Sequence, residues 1–424
     1  MNNRVVITGL GVCAPNGVTI ADFTQSLKNG TSGIRFHQEL ADLEFGCHIA
    51  GKPQLNDAQI QQYFTPLQLR ALNSTGIIYG VIAGTDAWRD AKLPIENNAS
   101  PDWENGIIFG TGILGVDQFR ESIHLIDAKN TRRLGSTSVM QTMASGISAY
   151  LGGILGCGNQ VTTNSSACTT GTEGVLMAYE RIKSGKATII LTGSCSDSGP
   201  YVWGGFDAMR ILPRTYNDNP AEASRPMSAS AAGFVAGSGA GALVLESLDS
   251  ALARGANIYA EVLGGAINSG GQRGEGTMTA PNSEAVQRCI TEAVKDAGIS
   301  PAAIDVINGH LTATTKDALE IENWSKALAR KHGDFPYINS FKGIFGHCLA
   351  AAGSIEIVAS MLQFKEGLIF GNSNCNDVHP VISTMISPDK IPQQTFNYSP
   401  KILAKASFGF GDVNACAIFK AYTH

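Results

Sequence analysis

Residues 4–9 form a short β-branched run ending in glycine, the pattern of a buried strand. Residues 106–110 and 187–192 are similar unbroken apolar runs, and 161–163 is a further extended stretch. Between these runs apolar positions recur at helical spacing, over 67–87, 139–151 and 174–183. Strands apolar on both faces that alternate with helices describe a parallel sheet covered by helices.

A second series starts after the glycine cluster at 233–241 and a strand at 242–246. It reads strand 258–266, helix 283–297, strand 304–308, helices 318–331 and 354–363, and a last strand at 415–421. The two series hold similar elements in similar order. The expectation is a layered α/β protein of two similar halves, residues 1–250 and 251–424.

Composition agrees. At 424 residues the chain exceeds the usual size of one core. Its 43% hydrophobic and 16% charged content describes a well-buried globular protein. The 48 glycines exceed what an average share of about 7% would give, which points to close backbone approaches. A net charge of −5 offers no footprint for nucleic acid. The nine cysteines show no CxxC pair and no regular spacing, so neither disulfides nor a metal site are expected. The first strand begins at once, leaving no room for a leader, and no apolar run reaches the roughly 18 residues of a membrane span. A reducing cytoplasm is the expected location.

One of those cysteines stands apart. Cys168 lies among small residues in Asn164-Ser165-Ser166-Ala167-Cys168-Thr169-Thr170-Gly171, where an extended run turns into a helix. The unpaired N–H groups and positive end of a helix favour a thiolate, the nucleophilic form. Three more clusters stand out. His310 directly follows a short buried strand, with Thr312, Thr314, Asp317 and Glu320 beyond it. Lys342 and His347, in Ser340-Phe341-Lys342-Gly343-Ile344-Phe345-Gly346-His347, precede a helix so rich in alanine and glycine that another element must press closely on it. Ser407-Phe408-Gly409-Phe410-Gly411-Asp412 is a glycine loop between two C-terminal strands.

Together these clusters resemble the β-ketoacyl-acyl-carrier-protein synthases, in the elongating type I/II branch. The resemblance rests on Ser-Ala-Cys before a helix, the order Cys…His…Lys-x-x-x-x-His, and Ser-Phe-Gly-Phe-Gly near the C-terminus. It runs end to end, through Val-Ile-Thr-Gly-Leu-Gly-Val near the start, Phe206-Asp207-Ala208-Met209, Ala223-Ser224-Arg225-Pro226 and Gly233-Phe234-Val235-Ala236-Gly237. It implies the thiolase-like fold, a five-layered αβαβα sandwich of two similar halves, and a dimer of two copies or of this chain with a paralogue. It implies a decarboxylative Claisen condensation with no cofactor of the protein's own, the substrates riding on the phosphopantetheine of acyl-carrier protein. By match to the family, Cys168 carries the acyl group, and the N–H groups of Cys168 and Phe410 form the oxyanion hole. His310 and His347 stabilise the enolate, Lys342 tunes them, and Glu320 holds Lys342. Thr312 and Thr314 bind the pantetheine arm. Ile113, Leu114 and Phe410 border the acyl pocket and its gate. An acidic carrier protein needs a basic patch, for which Arg70, Arg132 and Arg133 are the candidates, with Lys129 behind them.

The chain departs from the family at three places. Leu311 stands where the family has glycine in His-Gly-Thr, with the segment to Glu320 one residue shorter. Phe341 replaces the threonine of Ser-Thr-Lys, and Asp412 the last glycine of Gly-Phe-Gly-Gly. No catalytic side chain is lost, so the departures bear on the acyl group, which we expect to be other than an ordinary saturated chain. Examples are a polyunsaturated or an aryl-polyene chain, the latter made by this chain as the catalytic subunit beside a chain-length-factor-like partner. A degradative thiolase would need a second active cysteine, an initiating synthase an asparagine in place of a histidine, and a chain-length-factor-like subunit would lack the nucleophile.

Overall fold

The structure, a computed structural model, describes residues 3–95 and 100–423. The apolar runs become strands of one sheet: β1 (Val5–Cys13), β2 (Asn105–Thr111), β3 (Val161–Thr162), β4 (Ile189–Ser196), β5 (Gly239–Ser247), β6 (Ala260–Ser269), β7 (Val306–Asn308), β8 (Tyr337–Asn339), β9 (Ile402–Gly409) and β10 (Val413–Ala421). Their order is β8-β7-β9-β10-β6-β1-β5-β4-β2-β3. Read from each edge inward, both halves run third, second, fourth, fifth and first strand. The two half-sheets join where β1 meets β6 over three residue pairs, Val5 to Ile7 against Val262 to Ala260.

The sheet is mixed, not parallel as the pattern suggested. In each half the three outer strands are parallel and the next two antiparallel. An apolar run records burial on both faces and carries no direction, so the sequence could not distinguish the two. The three residues between β9 and β10 allow only an antiparallel pair.

Helices α1 (Thr75–Asp90) and α2 (Gly146–Leu155) cover one outer face, and α4 (Ser283–Asp296) and α5 (Asp317–Leu328) the other. Helices α3 (Thr170–Lys183) and α6 (Ala352–Glu366) lie between the half-sheets and touch strands of both, completing five layers. Residues 352–363 of α6 are all buried, which explains their small, apolar make-up. The pressing element is α3: a Cβ on Gly171 would lie 2.4 Å from the Ser354 nitrogen, and one on Gly353 2.7 Å from the Thr172 nitrogen. Two expected helices begin late. Ser74 caps α1 by accepting from Ile77 N–H, and extended Met143 separates α2 from the short turn Ser138–Thr142. Among the described residues no helix is long and apolar enough to cross a membrane.

Candidate active site

The inner layer and the sheet's carboxyl ends bring the four sequence clusters to one place. Cys168 sits in a tight turn (Ala167–Thr169) leading into α3. The turn is held by Thr170 Oγ1, which donates to the Ala167 carbonyl at 2.7 Å and accepts from Ser166 N–H at 2.9 Å. Ala167 has φ +49°, a left-handed conformation that a non-glycine residue keeps only when its surroundings enforce it. Of the nine free cysteines, eight are buried and only Cys168 is partly exposed.

Strands β7 and β8 run parallel side by side, so His310 and Lys342, which follow them, emerge together. His347 is fixed through its backbone, donating to the Val235 carbonyl at 2.7 Å and accepting from Gly237 N–H at 2.8 Å. The Cys168 sulfur and ring nitrogens of His310 and His347 all lie within 4.8 Å of one another. The two rings meet edge to face with centroids 5.3 Å apart. His347 Nδ1 accepts from Leu349 N–H at 3.1 Å, which places the ring proton on Nε2. His310 Nδ1 has no partner.

Burial, with the nearby Lys342 and Lys405 charges, holds both imidazoles well below the usual histidine pKa. The rings are therefore neutral hydrogen-bond donors. Three donor atoms this close could ligate a metal, but those two lysines set positive charge against any cation there.

Cys168 corrects the expectation of a resting thiolate. Burial pushes its thiol up to about 11, outweighing the N–H groups of Phe410 and Cys168 and the Lys342 charge, which pull the other way. Both amides thus point at the sulfur. The glycine loop lies directly over it, since a Cβ on Gly409 would come within 3.1 Å of the Cys168 nitrogen.

The partner of Lys342 is a second correction. Glu320 does not hold it. The Glu320 carboxylate accepts from the His310 and Leu311 N–H groups, each at 2.7 Å, and fixes that turn. Burial raises its pKa to about 7. Lys342 instead pairs with Glu356 on α6, and its Nζ donates to the His310 carbonyl at 2.6 Å. The same Glu356 meets Lys405 of β9 at 2.7 Å, all three side chains being buried. Neither Glu356 nor Lys405 was anticipated, although each is a lone charge inside an apolar run and so carried a signal.

A cavity of about 590 Å³ opens on Cys168, lined in part by Ile113, Phe206, Thr312, Thr314 and Phe410. Leu114 is not part of its wall. It is buried in the core against α1, with a Cβ on Gly76 only 3.0 Å from its Cδ1. The chain bends after β2 ends at Thr111, and there Ile113 lines the cavity while Leu114 packs inward. The Thr312 and Thr314 hydroxyls lie 3.1 Å apart. Arg70, Lys129, Arg132 and Arg133 are all exposed.

A family model described as beta-ketoacyl synthase, N-terminal domain, matches residues 2–251, and its C-terminal counterpart matches residues 259–376. The 3-oxoacyl-(acyl-carrier-protein) synthase I, chloroplastic, of Arabidopsis thaliana is 32% identical, covering 99% of this chain and 87% of that protein. The 3-oxoacyl-(acyl-carrier-protein) synthase 2 of Staphylococcus aureus is 30% identical, covering 99% of each. Among solved structures, a type II polyketide acyl-carrier protein in complex with its ketosynthase bound to the hexaketide matches with TM-score 0.86 and 27% identity over all of both chains. The ishigamide ketosynthase/chain length factor matches with TM-score 0.88 and 26% identity, again over all of both.

Proposed function

The chain belongs to the β-ketoacyl synthase family, and we propose how its residues divide the work of decarboxylative condensation. It is an acyltransferase that forms carbon–carbon bonds, joining an enzyme-bound acyl group to malonyl-acyl-carrier protein in chain elongation. Cys168 attacks the acyl thioester, the new S–C bond forms, and the pantetheine thiol leaves with the Cys168 proton. Because the thiol starts protonated, a base must accept that proton in passing. His347 has its lone pair occupied by Leu349 N–H, which leaves His310 for this role. The Cys168 and Phe410 amides hold the oxyanion.

In the second half malonyl-acyl-carrier protein loses carbon dioxide, and the two neutral imidazoles donate hydrogen bonds to the enolate oxygen. Neutral donors stabilise the charge without protonating the carbanion, which then attacks the Cys168 thioester. The new C–C bond forms, the S–C bond breaks, and the sulfur leaves as a thiolate that takes up a proton from water. Lys342 and Lys405 bias the field towards the anion, and Glu320 positions His310. The nucleophile thus comes from residues 1–250, and both histidines and Lys342 from 251–424. The observation carrying this reading is the convergence of one partly exposed cysteine and two neutral histidines within 4.8 Å.

Thr312 and Thr314 receive the pantetheine arm, and the exposed Arg70, Arg132 and Arg133 the acidic carrier protein. Ile113 and Phe410 bound the acyl group, a chain other than an ordinary saturated one. A dimer, of two copies or with a paralogue, is supported by exposed Phe119, Ile123, Ile126, Val139 and Met140, and by exposed Val161 on edge strand β3. The protein works in the cytoplasm. Iodoacetamide tests the core of the reading: native protein should be alkylated at Cys168 before any other cysteine and lose condensation in step. Full condensation after stoichiometric alkylation would refute it.

A further inference from the structure

Asp412 is a turn residue between β9 and β10, yet only 1% of it is exposed. Its φ is +61°, a conformation glycine would take more easily, so the side chain is present for its contacts. Its carboxylate faces segment 270–282. Oδ1 accepts from Asn282 N–H at 2.8 Å and Oδ2 from Gln272 N–H at 3.0 Å. The backbones join as well: Gly270 N–H donates to the Asp412 carbonyl at 2.9 Å, and Gly411 N–H to the Met278 carbonyl at 2.8 Å.

The segment is shaped around this carboxylate. A Cβ on Gly270 would lie 2.2 Å from Oδ2, and one on Gly276 2.4 Å. Apart from Gly276, residues 271–279 are exposed, so apolar burial does little to hold them. The same segment carries Thr279 and Pro281 to the wall of the Cys168 cavity, where Phe410 also stands. One carboxylate therefore ties the cavity's mouth to the turn whose amide points at the nucleophile.

We propose that Asp412 is a specificity-determining latch. By fastening segment 270–282 to the Phe410 turn, it holds the mouth and the oxyanion-hole amide as one unit. Cys168 then accepts only acyl groups that enter without that unit opening. The proposal rests on Cys168 being the acyl carrier. Loops held by a few backbone contacts open at low free energy, and removing the principal anchor lowers it further.

The test uses the full chain with Asp412→Gly, which suits the φ, and Asp412→Asn, which keeps the shape but turns a donor towards one of the two amides. Hydrogen exchange over 270–282 should rise about tenfold in the glycine variant, less in the asparagine variant, with the sheet unchanged. Mass spectrometry of Cys168 loaded from a mixture of short and long acyl-carrier proteins should show the long-to-short ratio rising about threefold or more, through KM rather than kcat. Unchanged exchange overturns the latch, and faster exchange with an unchanged ratio overturns its role in selection. Absence of any adduct on Cys168 in the unaltered protein would sink the functional reading instead, and exchange alone would then decide whether the latch exists.

Discussion

Lys342 donates to the backbone carbonyl of His310 at 2.6 Å while its ammonium pairs with Glu356, and this places a fixed positive charge behind the first imidazole. Lys405 shares the same carboxylate from the other side, so two ammonium groups face one anion in a buried site. Glu356 is their common partner. Replacing it with Gln removes the carboxylate that both ammonium groups pair with and should destabilise the fold by about 3–5 kcal/mol, read as a fall in the denaturant midpoint.

Lys405→Met has the opposite character. It removes a charge that burial already disfavours while leaving Lys342 and Glu356 paired, so stability should hold or rise. The imidazoles lose a positive neighbour and their pKa values should rise, which moves the acid limb of the condensation profile to higher pH. An unmoved acid limb would show that Lys405 is only structural.

The histidines also set how stability responds to acid. In the unfolded chain they take up protons as pH falls through about 6.5. In the folded protein their pKa values lie well below this, so the unfolded state binds more protons in that window. Their contribution is therefore complete above pH 6.5 and is lost as the pH falls towards their folded values. Thermal unfolding between pH 7.5 and 5 should show a slope that His347→Gln reduces.

Where α3 and α6 cross, there is no space for a methyl group. Gly171→Ala would bring a Cβ to 2.4 Å from the Ser354 nitrogen, a backbone atom that cannot step aside. The expected loss is about 1–3 kcal/mol, checked by urea unfolding.

The strands of the sheet were legible in the sequence because burial on both faces leaves a continuous apolar run. Their directions were not, nor was strand β8, three residues long and placed only by pairing with β7. Cys168, His310 and His347 stood out because reactive side chains beside glycine and at strand ends are uncommon. Glu356 and Lys405 were overlooked although each interrupts an apolar element, because their purpose appears only when α6 and β9 meet Lys342. The pairing of Glu320 with that lysine rests on the family resemblance alone, and spacing along the chain carries no sign of which carboxylate the lysine meets. Leu114 was grouped with Ile113 because adjacency in sequence hides which of two neighbours turns inward.

Everything in this mechanism turns on Cys168 carrying the acyl group. Intact and peptide mass spectrometry after incubation with acyl-carrier protein bearing an acyl thioester measures this directly. One acyl mass is expected on the peptide containing Cys168, discharged on adding malonyl-acyl-carrier protein, with no adduct or condensation in a folded Cys168→Ala protein. Condensation persisting in that variant, or an acyl mass on another residue, would contradict it.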